Sequence, residues 1–326
     1  MSYALKSPVL LTEQDDDATD NLSEVLAGLG QFPKFISSKF FYDVRGSELF
    51  DKICELPEYY LTRTEIGIMR RYVVEITAAI GPQASLIEFG SGSSMKIRIL
   101  LEHLELLAAY VPVDISRDYL VAAADRIQRE FPLVEVLPVA ADFTQPFELP
   151  DPKVMPVRNV VYFPGSTIGN FSPDAAQNLL RVMYGEAGEN GALLIGIDRQ
   201  KDRSELESAY NDSAGVTAEF NLNILRRINR ELGANFDLSR FRHRAIYNDT
   251  AGRIEMYLDS VCEQVVIIDG QEISFTAGEA ILTEHSHKYT LEGFAEMVGS
   301  AGFALHNIWS DPDEKFSVLY CLRDQV

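Results

Sequence analysis

LIEFGSGSSMK, residues 86–96, decides the fold of this chain. An apolar, strand-like run stops at a glycine-rich turn, and a helix-like segment from Ile97 to Leu107 follows. A second apolar run, Ala108 to Val113, ends in Asp114, twenty-four residues after Gly90. This layout is typical of a nucleotide-type cofactor site at the carboxyl edge of a parallel sheet. There the glycines let the ligand approach the backbone, and the acidic residue accepts hydrogen bonds from a ribose.

The glycine turn also indicates which cofactor is bound. A dinucleotide-binding turn would carry a third glycine where Met95 stands, and no Gly-Lys-Ser/Thr follows for a triphosphate. Glu88-x-Gly90-x-Gly92 with the later Asp114 instead resembles the first two motifs of class I S-adenosylmethionine (SAM) methyltransferases. A glycine turn in an unrelated α/β protein remains the alternative at this point.

Further apolar runs extend the predicted sheet. Residues 134–140 lead into Asp142 and Phe143, which suit an adenine because the carboxylate accepts from the exocyclic amine and the ring packs beside the base. The remaining predicted elements are strands at 159–163 and 192–197, a helix at 291–301, and strands at 304–309 and 316–322. We therefore expect an α/β fold of the class I SAM methyltransferase type, Rossmann-like, with a mostly parallel seven-stranded sheet.

Composition excludes several classes of protein. The formal net charge of −20 over 326 residues repels phosphate backbones, so nucleic acid is not expected as a substrate. No apolar run approaches the roughly 20 residues of a membrane span, and the N-terminus starts no signal peptide. Three well-separated cysteines, Cys54, Cys262 and Cys321, suit reduced thiols and neither a disulfide framework nor a zinc site. We expect a cytoplasmic monomer without a metal or a membrane partner.

The chain divides into two predicted domains. Between Asp198 and Glu284 the strand–helix alternation breaks into helix-like segments followed by strands, and Asp269-Gly270 is a strong hairpin signal. We assign residues 64–200 and 287–326 to the SAM-binding domain. Residues 1–63 and 201–286 are assigned to an α+β substrate-binding domain.

Segments outside the glycine turn make the resemblance more specific, and the chain is similar to the histidine Nα-methyltransferase family of ergothioneine biosynthesis. The matching segments lie in family order from about residue 40 onward: FYD at 41–43, GSELFD at 46–51, LPEYYLTRTE at 56–65, EFGSG at 88–92, GSTIGN at 165–170, AYNDSAGVTAEFN at 209–221, NREL at 229–232, RIEM at 253–256 and LTEHSHK at 282–288. The first 35 residues show little similarity.

This resemblance implies a role for individual residues. The positions implied for SAM are Gly90, Lys96, Asp114, Asp142 and Phe143. For the amino acid, the resemblance places Asn170 and Tyr210 at the α-carboxylate, Tyr59, Met256, Glu284 and Ser286 around the imidazole, and Tyr42, Gly165 and Thr217 near the amine. Tyr42 is the implied catalytic residue, because its hydroxyl could orient the amine or pass its proton to solvent.

The residue types at 284 and 286 suit an imidazole. A carboxylate accepts from one ring N–H, and a hydroxyl serves the other nitrogen. An indole would leave Glu284 desolvated and unpaired, which costs about 1–3 kcal/mol or more. That cost implies roughly tenfold or greater rejection. His285 and His287 stand at positions that the family does not fix, and two histidines on one strand face without a third ligand do not indicate a metal site.

The resemblance implies transfer of three methyl groups from SAM to the α-amine of L-histidine, giving hercynine. Two alternatives stay open. One is an N-methyltransferase for another amino acid or a tryptophan derivative, against which the retained Glu284 argues. The other is a non-catalytic SAM- or amino-acid-binding module, which would not be expected to keep the substrate residues.

Overall fold

A computed structural model describes residues 10–11, 18–92 and 95–324. The chain forms two compact units. The first unit comprises Met1–Gln14, Arg63–Arg199 and Tyr289–Val326, and the second comprises Asp15–Thr62 and Gln200–Lys288.

The described residues form α-helices, β-strands and short 3-10 helices. The α-helices are α1 (Ala18–Leu29), α2 (Val44–Glu55), α3 (Tyr60–Ile80), α4 (Met95–Leu101), α5 (Arg117–Glu130), α6 (Pro173–Ala187), α7 (Arg203–Tyr210), α8 (Val216–Leu232) and α9 (Leu291–Ser300). The strands are β1 (Leu10–Leu11), β2 (Lys34–Phe35), β3 (Ala84–Phe89), β4 (Ala109–Asp114), β5 (Val139–Ala140), β6 (Arg158–Phe163), β7 (Ala192–Asp198), β8 (Phe241–Asn248), β9 (Arg253–Ser260), β10 (Gln264–Ile268), β11 (Gln271–Phe275), β12 (Ala280–His287), β13 (Phe303–Ser310) and β14 (Phe316–Arg323). Short 3-10 helices span Ser38–Phe41, Thr167–Asn170 and Leu238–Arg240.

The first unit is built on one large sheet with the strand order β1-β5-β4-β3-β6-β7-β14-β13. Strands β3 to β7 are parallel, and β14 pairs antiparallel with both β7 and β13. The predicted class I SAM methyltransferase fold is confirmed, including its closing antiparallel pair. The sheet has eight described strands where seven were predicted, because the two-residue β1 adds to its edge alongside β5.

Apolar side chains cover both faces of this sheet. Every residue of β3 and β7 is buried, and the successive residues Leu86 and Ile87 belong to different apolar clusters. Two-sided burial explains why these strands appear as nearly continuous apolar runs, as expected for a parallel sheet flanked by helices.

One predicted strand is much shorter than its apolar run. The prediction over residues 134–140 is wrong in length, because β5 contains only Val139 and Ala140, and Val136 forms an isolated bridge to Tyr110. Pro138 lies between these contacts and has no N–H to donate to a ladder. β5 still ends at Ala140, so Asp142 still lies just beyond the carboxyl end of this strand.

The second unit contains a four-stranded sheet in the order β2-β12-β9-β8, a separate β10–β11 hairpin, and helices α1, α2, α7 and α8. The predicted Asp-Gly hairpin is confirmed. Ile268 pairs with Gln271, and the turn residues Asp269 and Gly270 have φ of 48° and 78°. Positive φ at both central residues is the requirement that favours Asp-Gly in a two-residue turn. Across the described residues, no helix combines the length and the apolar character needed to cross a membrane.

Candidate functional site

The glycine turn after β3 provides an open stretch of backbone. Gly90 has φ of 68°, which favours glycine, and its N–H donates to the Val113 carbonyl at 2.9 Å. A Cβ at Gly90 would lie 3.6 Å from the Phe143 ring. The turn is therefore tied to the end of β4, and the missing side chain leaves space beside Phe143.

Two carboxylates follow the neighbouring strands of the first unit. Asp114, at the end of β4, accepts from the Ser116 N–H at 2.9 Å. Burial raises the pKa of Asp114, and backbone hydrogen bonds, including one from Gly92, partly offset that rise. Asp142 accepts from the Thr144 backbone N–H at 2.9 Å and from its hydroxyl at 2.7 Å. Both acids are thus oriented by their own loops.

A third carboxyl group lies buried within β3. The Tyr110 hydroxyl donates to Glu88 Oε2 at 2.5 Å. Burial raises the pKa of Glu88 to about 8, although the Tyr110 hydrogen bond and the positive charge of Lys96 both lower it. Glu88 is therefore largely protonated near neutral pH, directly ahead of the glycine turn.

Glu65 connects the first turn of α4 with the loop that follows β6. Its two carboxylate oxygens each lie 3.0 Å from the Gly165 backbone nitrogen, and it forms an ion pair with Lys96. Gly165 has φ of 83°, and a Cβ there would lie 3.2 Å from Lys96 Nζ and 3.3 Å from Thr167 Oγ1. Because β3 and β6 are adjacent at the point where strand order reverses, this cluster lies where open α/β sheets bind ligands. The sequence assigned no role to Glu65, which stood out only as part of the matching segment 56–65.

The loop after β6 is fixed to the end of β7. Ser166 adopts a left-handed conformation with φ of 57°, and its hydroxyl accepts from the Asp198 N–H at 2.8 Å. Asn170 ends the 3-10 helix that follows and is half-buried. Gly165 and Asn170 therefore lie on one constrained loop of the first unit.

The groups at this edge of the sheet fit SAM. SAM carries no phosphate, and the loop offers open backbone at Gly90 together with carboxylates at the ends of β4 and β5. Phe143 packs against Phe89 and Phe163, with ring centroids 5.5 and 5.9 Å apart, and presents a half-buried aromatic surface. The residues predicted for the cofactor all lie at the carboxyl edge of the parallel strands, in the last residue of β4, in the loops that follow β3 and β5, or in the first turn of α4: Gly90, Lys96, Asp114, Asp142 and Phe143.

The second unit brings together another set of predicted residues. The Tyr210 hydroxyl lies 2.8 Å from Ser286 Oγ, and both side chains are buried. The ring of Tyr59 approaches that of Tyr210 edge-on, with centroids 6.1 Å apart. Burial, reinforced by Tyr210, raises the pKa of Tyr59 well above its ordinary value. Its phenol therefore stays neutral.

A β-bulge in β12 determines the strand face on which Glu284 lies. Leu282 pairs with Tyr257, but Glu284 pairs with Met256, so β12 carries one extra residue at Thr283. The bulge puts Glu284 and Ser286 on the face of Met256, whereas strict alternation would put Leu282 there as well. Thr283 donates its hydroxyl to the Met256 carbonyl at 3.1 Å inside the bulge.

Burial raises the pKa of Glu284 to about 7, and the positive charge of Lys288 lowers it. Glu284 is therefore a carboxyl group that changes charge near neutral pH. A basic ring would stabilise its ionised form, and an apolar ring would leave it without a partner.

Tyr42 and Thr217 are held by different contacts within the second unit. Tyr42 is 38% exposed and lies edge-on to the rings of Phe50 and Phe220, both with centroids 5.9 Å away. Thr217 is buried in the first turn of α8, where its N–H donates to Asp212 Oδ1 at 2.8 Å. Tyr42 therefore keeps a solvent-accessible side chain, as a group that passes a proton to water would need.

His243 supports Tyr210 and was not singled out from the sequence. Its Nε2 lies 2.8 Å from the Tyr210 carbonyl, and its Nδ1 lies 2.8 Å from the Asn221 amide nitrogen. These partners assign Nε2–H as the donor and Nδ1 as the acceptor. Burial lowers the pKa of His243, which keeps the ring neutral in this role.

His285 and His287 point to the opposite face of β12 from Glu284 and Ser286, where their cross-strand neighbours are Glu255 and Arg253. Their rings are 5.9 Å apart. Within the described ranges, no cluster of three or more His, Cys, Asp or Glu side chains is arranged to hold a metal ion.

Comparison with known proteins agrees with this geometry. The family described as "Histidine-specific methyltransferase, SAM-dependent" matches residues 21–323. A histidine N-alpha-methyltransferase of Mycolicibacterium smegmatis is 41% identical over 315 residues, which cover 94% of this chain and 97% of that protein. The protein of the same name from Mycobacterium tuberculosis is 40% identical and covers 90% of this chain and 92% of its own length.

A more distant relative is the Ergothioneine biosynthesis protein 1 of Neurospora crassa. It is 29% identical over 289 residues, which cover 86% of this chain but 32% of that protein. The extent of the family match and the identity to the two bacterial proteins are decisive: this chain belongs to the SAM-dependent, histidine-specific methyltransferases.

Proposed function

We propose that this enzyme transfers methyl groups from SAM to the α-amine of L-histidine, three in succession, and so produces hercynine for ergothioneine biosynthesis. The observation that carries the proposal is the partly buried carboxyl group of Glu284 on one strand face with Ser286, whose hydroxyl contacts Tyr210. Family membership and the bacterial relatives support the same substrate.

The cofactor residues of the first unit have separate roles in this proposal. SAM supplies a methyl group that is already activated by its sulfonium, so the side chains need only bind and orient. Asp114 would accept from the ribose hydroxyls, and Asp142 would accept from the adenine amine. Lys96, held by Glu65, and the open backbone at Gly90 would complete the cofactor contacts.

Histidine recognition would depend on matched hydrogen bonds. Glu284 would accept from one imidazole N–H, with Ser286 serving the other nitrogen and Met256 and Tyr59 closing the pocket around the ring. Tyr210 would donate to the α-carboxylate together with Asn170, since neutral donors suffice for that group. An indole cannot satisfy Glu284, which argues against a tryptophan substrate.

Methyl transfer requires the amine to be neutral, because an ammonium has no lone pair. The nitrogen must also lie in line with the S–CH3 bond, at about 3–3.5 Å from the carbon. We assign the orientation of the amine, and the passage of its proton to solvent, to Tyr42. Gly165 and Thr217, the other residues assigned near the amine, are small enough to leave room for three methyl groups.

We further propose that the first unit binds SAM and that the second supplies most of the residues that recognise the amino acid. We also propose that the enzyme acts as a monomer and works in the cytoplasm. None of the three cysteines, all of which lie within the described residues, forms a disulfide, as expected in a reducing compartment.

Substitution of Glu284 tests the substrate assignment. Glu284→Ala should weaken histidine binding at least about tenfold and leave affinity for S-adenosylhomocysteine (SAH) nearly unchanged, because only the imidazole loses its partner. Calorimetry with each ligand measures both affinities. Glu279→Ala is the matched control, since Glu279 lies next to the same strand but pairs with Lys34. Equal binding of histidine and tryptophan to the unaltered enzyme would contradict the proposal.

A further inference from the structure

A buried ammonium lies directly behind the hydroxyl groups of the proposed histidine pocket. Lys288 is 2% exposed, and its Nζ donates to Tyr210 Oη at 3.0 Å and to Ser286 Oγ at 2.8 Å. The same Nζ lies 4.9 Å from the centroid of the Tyr210 ring. A lysine is almost never this buried unless its charge is balanced and its protons are bonded.

The backbone fixes where this ammonium lies. The N–H of Lys288 donates to the Gly252 carbonyl at 2.8 Å, and its carbonyl accepts from the Gln200 amide at 3.2 Å. Lys288 also extends the alternation of Glu284 and Ser286 at the end of β12. The ammonium is therefore held by the same strand that presents the acid and the hydroxyl.

Counting hydrogen bonds shows what Lys288 does to the hydroxyl pair. Each hydroxyl has one proton and two lone pairs, and each oxygen accepts one proton from Lys288. The contact between Tyr210 and Ser286 uses one hydroxyl proton and a second lone pair on the acceptor. Because both oxygens accept from Lys288, the other hydroxyl proton is directed away from the ammonium, whichever residue donates. If Ser286 donates to Tyr210, the proton so directed is that of Tyr210, as donation to a carboxylate would need, and Ser286 can accept from an imidazole N–H.

We propose that Lys288 is a positioning residue for histidine recognition: it orients the hydroxyl protons of Tyr210 and Ser286 and balances the negative charge of Glu284. This inference rests on the proposed function. Its second part follows from the alternation that puts Glu284, Ser286 and Lys288 on one side of the strand, and the charge of Lys288 accordingly lowers the pKa of Glu284. Tyr59 also interacts electrostatically with Glu284, but its raised pKa keeps it neutral, so it does not supply the balancing charge.

The test is the pH dependence of histidine affinity, measured by calorimetry with SAH present so that no methyl transfer occurs. Glu284 must be ionised to accept from the imidazole, so affinity falls as pH drops through its pKa. Lys288→Met removes the charge that lowers this pKa. The acid limb of the affinity profile, which is the pH range over which histidine affinity falls, should therefore move to higher pH in this variant. Relative to the unaltered enzyme, histidine affinity should be about tenfold lower near pH 7, and this difference should shrink near pH 9. Titration of free histidine is common to both proteins and cancels in the comparison.

Lys34→Met is the matched control, because it removes another poorly exposed lysine that pairs with Glu279 beside the same sheet. It should keep the acid limb of the unaltered enzyme. The double variant Ser286→Ala/Lys288→Met should lose less affinity than the product of the two single losses, since Lys288 acts through Ser286.

The inference is overturned if Lys288→Met keeps the original acid limb, or loses affinity by the same factor at every pH. If Lys288→Met no longer unfolds cooperatively or no longer binds SAH, Lys288→Gln is judged by the same criterion, because it keeps a donor and loses the charge. Failure of the unaltered enzyme to bind histidine at any pH would instead overturn the proposed function, without reference to Lys288.

Discussion

At the scale of single residues, the groups that hold the site in place are harder to predict than the groups assigned to the ligand. The glycines, the strand-end acids and Glu284 stand in recognisable motifs. Glu65 contacts Gly165 across 100 residues of sequence, and Lys288 contacts Tyr210 across 78. No local pattern reports such a pairing, because an isolated Glu or Lys most often marks a solvated surface.

Gly165 gives a direct test of this residue-level account. Gly165→Ala should destabilise the protein by about 1–3 kcal/mol, because φ of 83° is strained for alanine and the added methyl group would press on Lys96. SAH binding should weaken as Lys96 shifts. Chemical denaturation and calorimetry measure the two effects.

Gly67→Ala is the opposite case and serves as the control. Gly67 lies exposed within α3, and nothing lies within 4 Å of an added Cβ. Alanine should therefore stabilise the helix by about 0.5–1 kcal/mol. Equal effects of the two substitutions would show that the backbone at Gly165 is not constrained as described.

At the scale of elements, continuous apolar runs predict the parallel strands well, but sequence patterns fail where a ladder is interrupted. The five parallel strand ends and the Asp269-Gly270 hairpin follow from pattern and turn chemistry. The bulge at Thr283 does not, because one extra residue reverses the alternation without any glycine or proline to signal it. The face on which Glu284 lies could therefore be assigned only from the structure.

The bulge should be sensitive to the hydroxyl that supports it. Thr283→Val removes the donor to the Met256 carbonyl within a buried site, so it should cost about 1–3 kcal/mol of unfolding free energy and weaken histidine binding. Thr276→Val, at an exposed position of the same unit, should change neither by much. Unaltered histidine affinity in Thr283→Val would mean that Glu284 is positioned without the bulge.

Strand β3 carries a pH-dependent contribution to stability. The pKa of Glu88 is about 8 in the folded chain against an ordinary 4.5, so the folded state holds this proton more tightly than the unfolded state between those values. Its contribution is complete below about pH 4.5 and is lost as pH rises through about 8.

Glu88→Gln should remove this dependence while keeping an acceptor for Tyr110. Denaturant unfolding of the SAM-free protein near pH 6 and above pH 8 should show the unaltered protein losing stability relative to Glu88→Gln. Subtracting the unfolding free energy of one protein from that of the other at each pH cancels the contributions of the other titrating groups. If the difference in unfolding free energy between the two proteins does not change with pH, Glu88 is not a buried, protonated acid.

At the scale of the whole molecule, the family resemblance predicts that one domain binds SAM and that the other recognises the amino acid. The first unit presents carboxylates, an open glycine turn and the Glu65–Lys96 ion pair at one sheet edge. The second unit holds Ser286 and Tyr210 against the buried Lys288, with Glu284 on the same strand face as Ser286. Neither set alone accounts for methylation of an amino acid, and the proposed activity needs both.

Mass spectrometry of a reaction containing the enzyme, SAM and L-histidine tests this account most directly. We expect histidine to gain one, then two, then three methyl units, all on the α-nitrogen, with one SAH released for each. Tryptophan under the same conditions should remain essentially unmodified. Methylation of an imidazole nitrogen, or faster methylation of tryptophan than of histidine, would contradict the assignment of Glu284 and Ser286 to the ring.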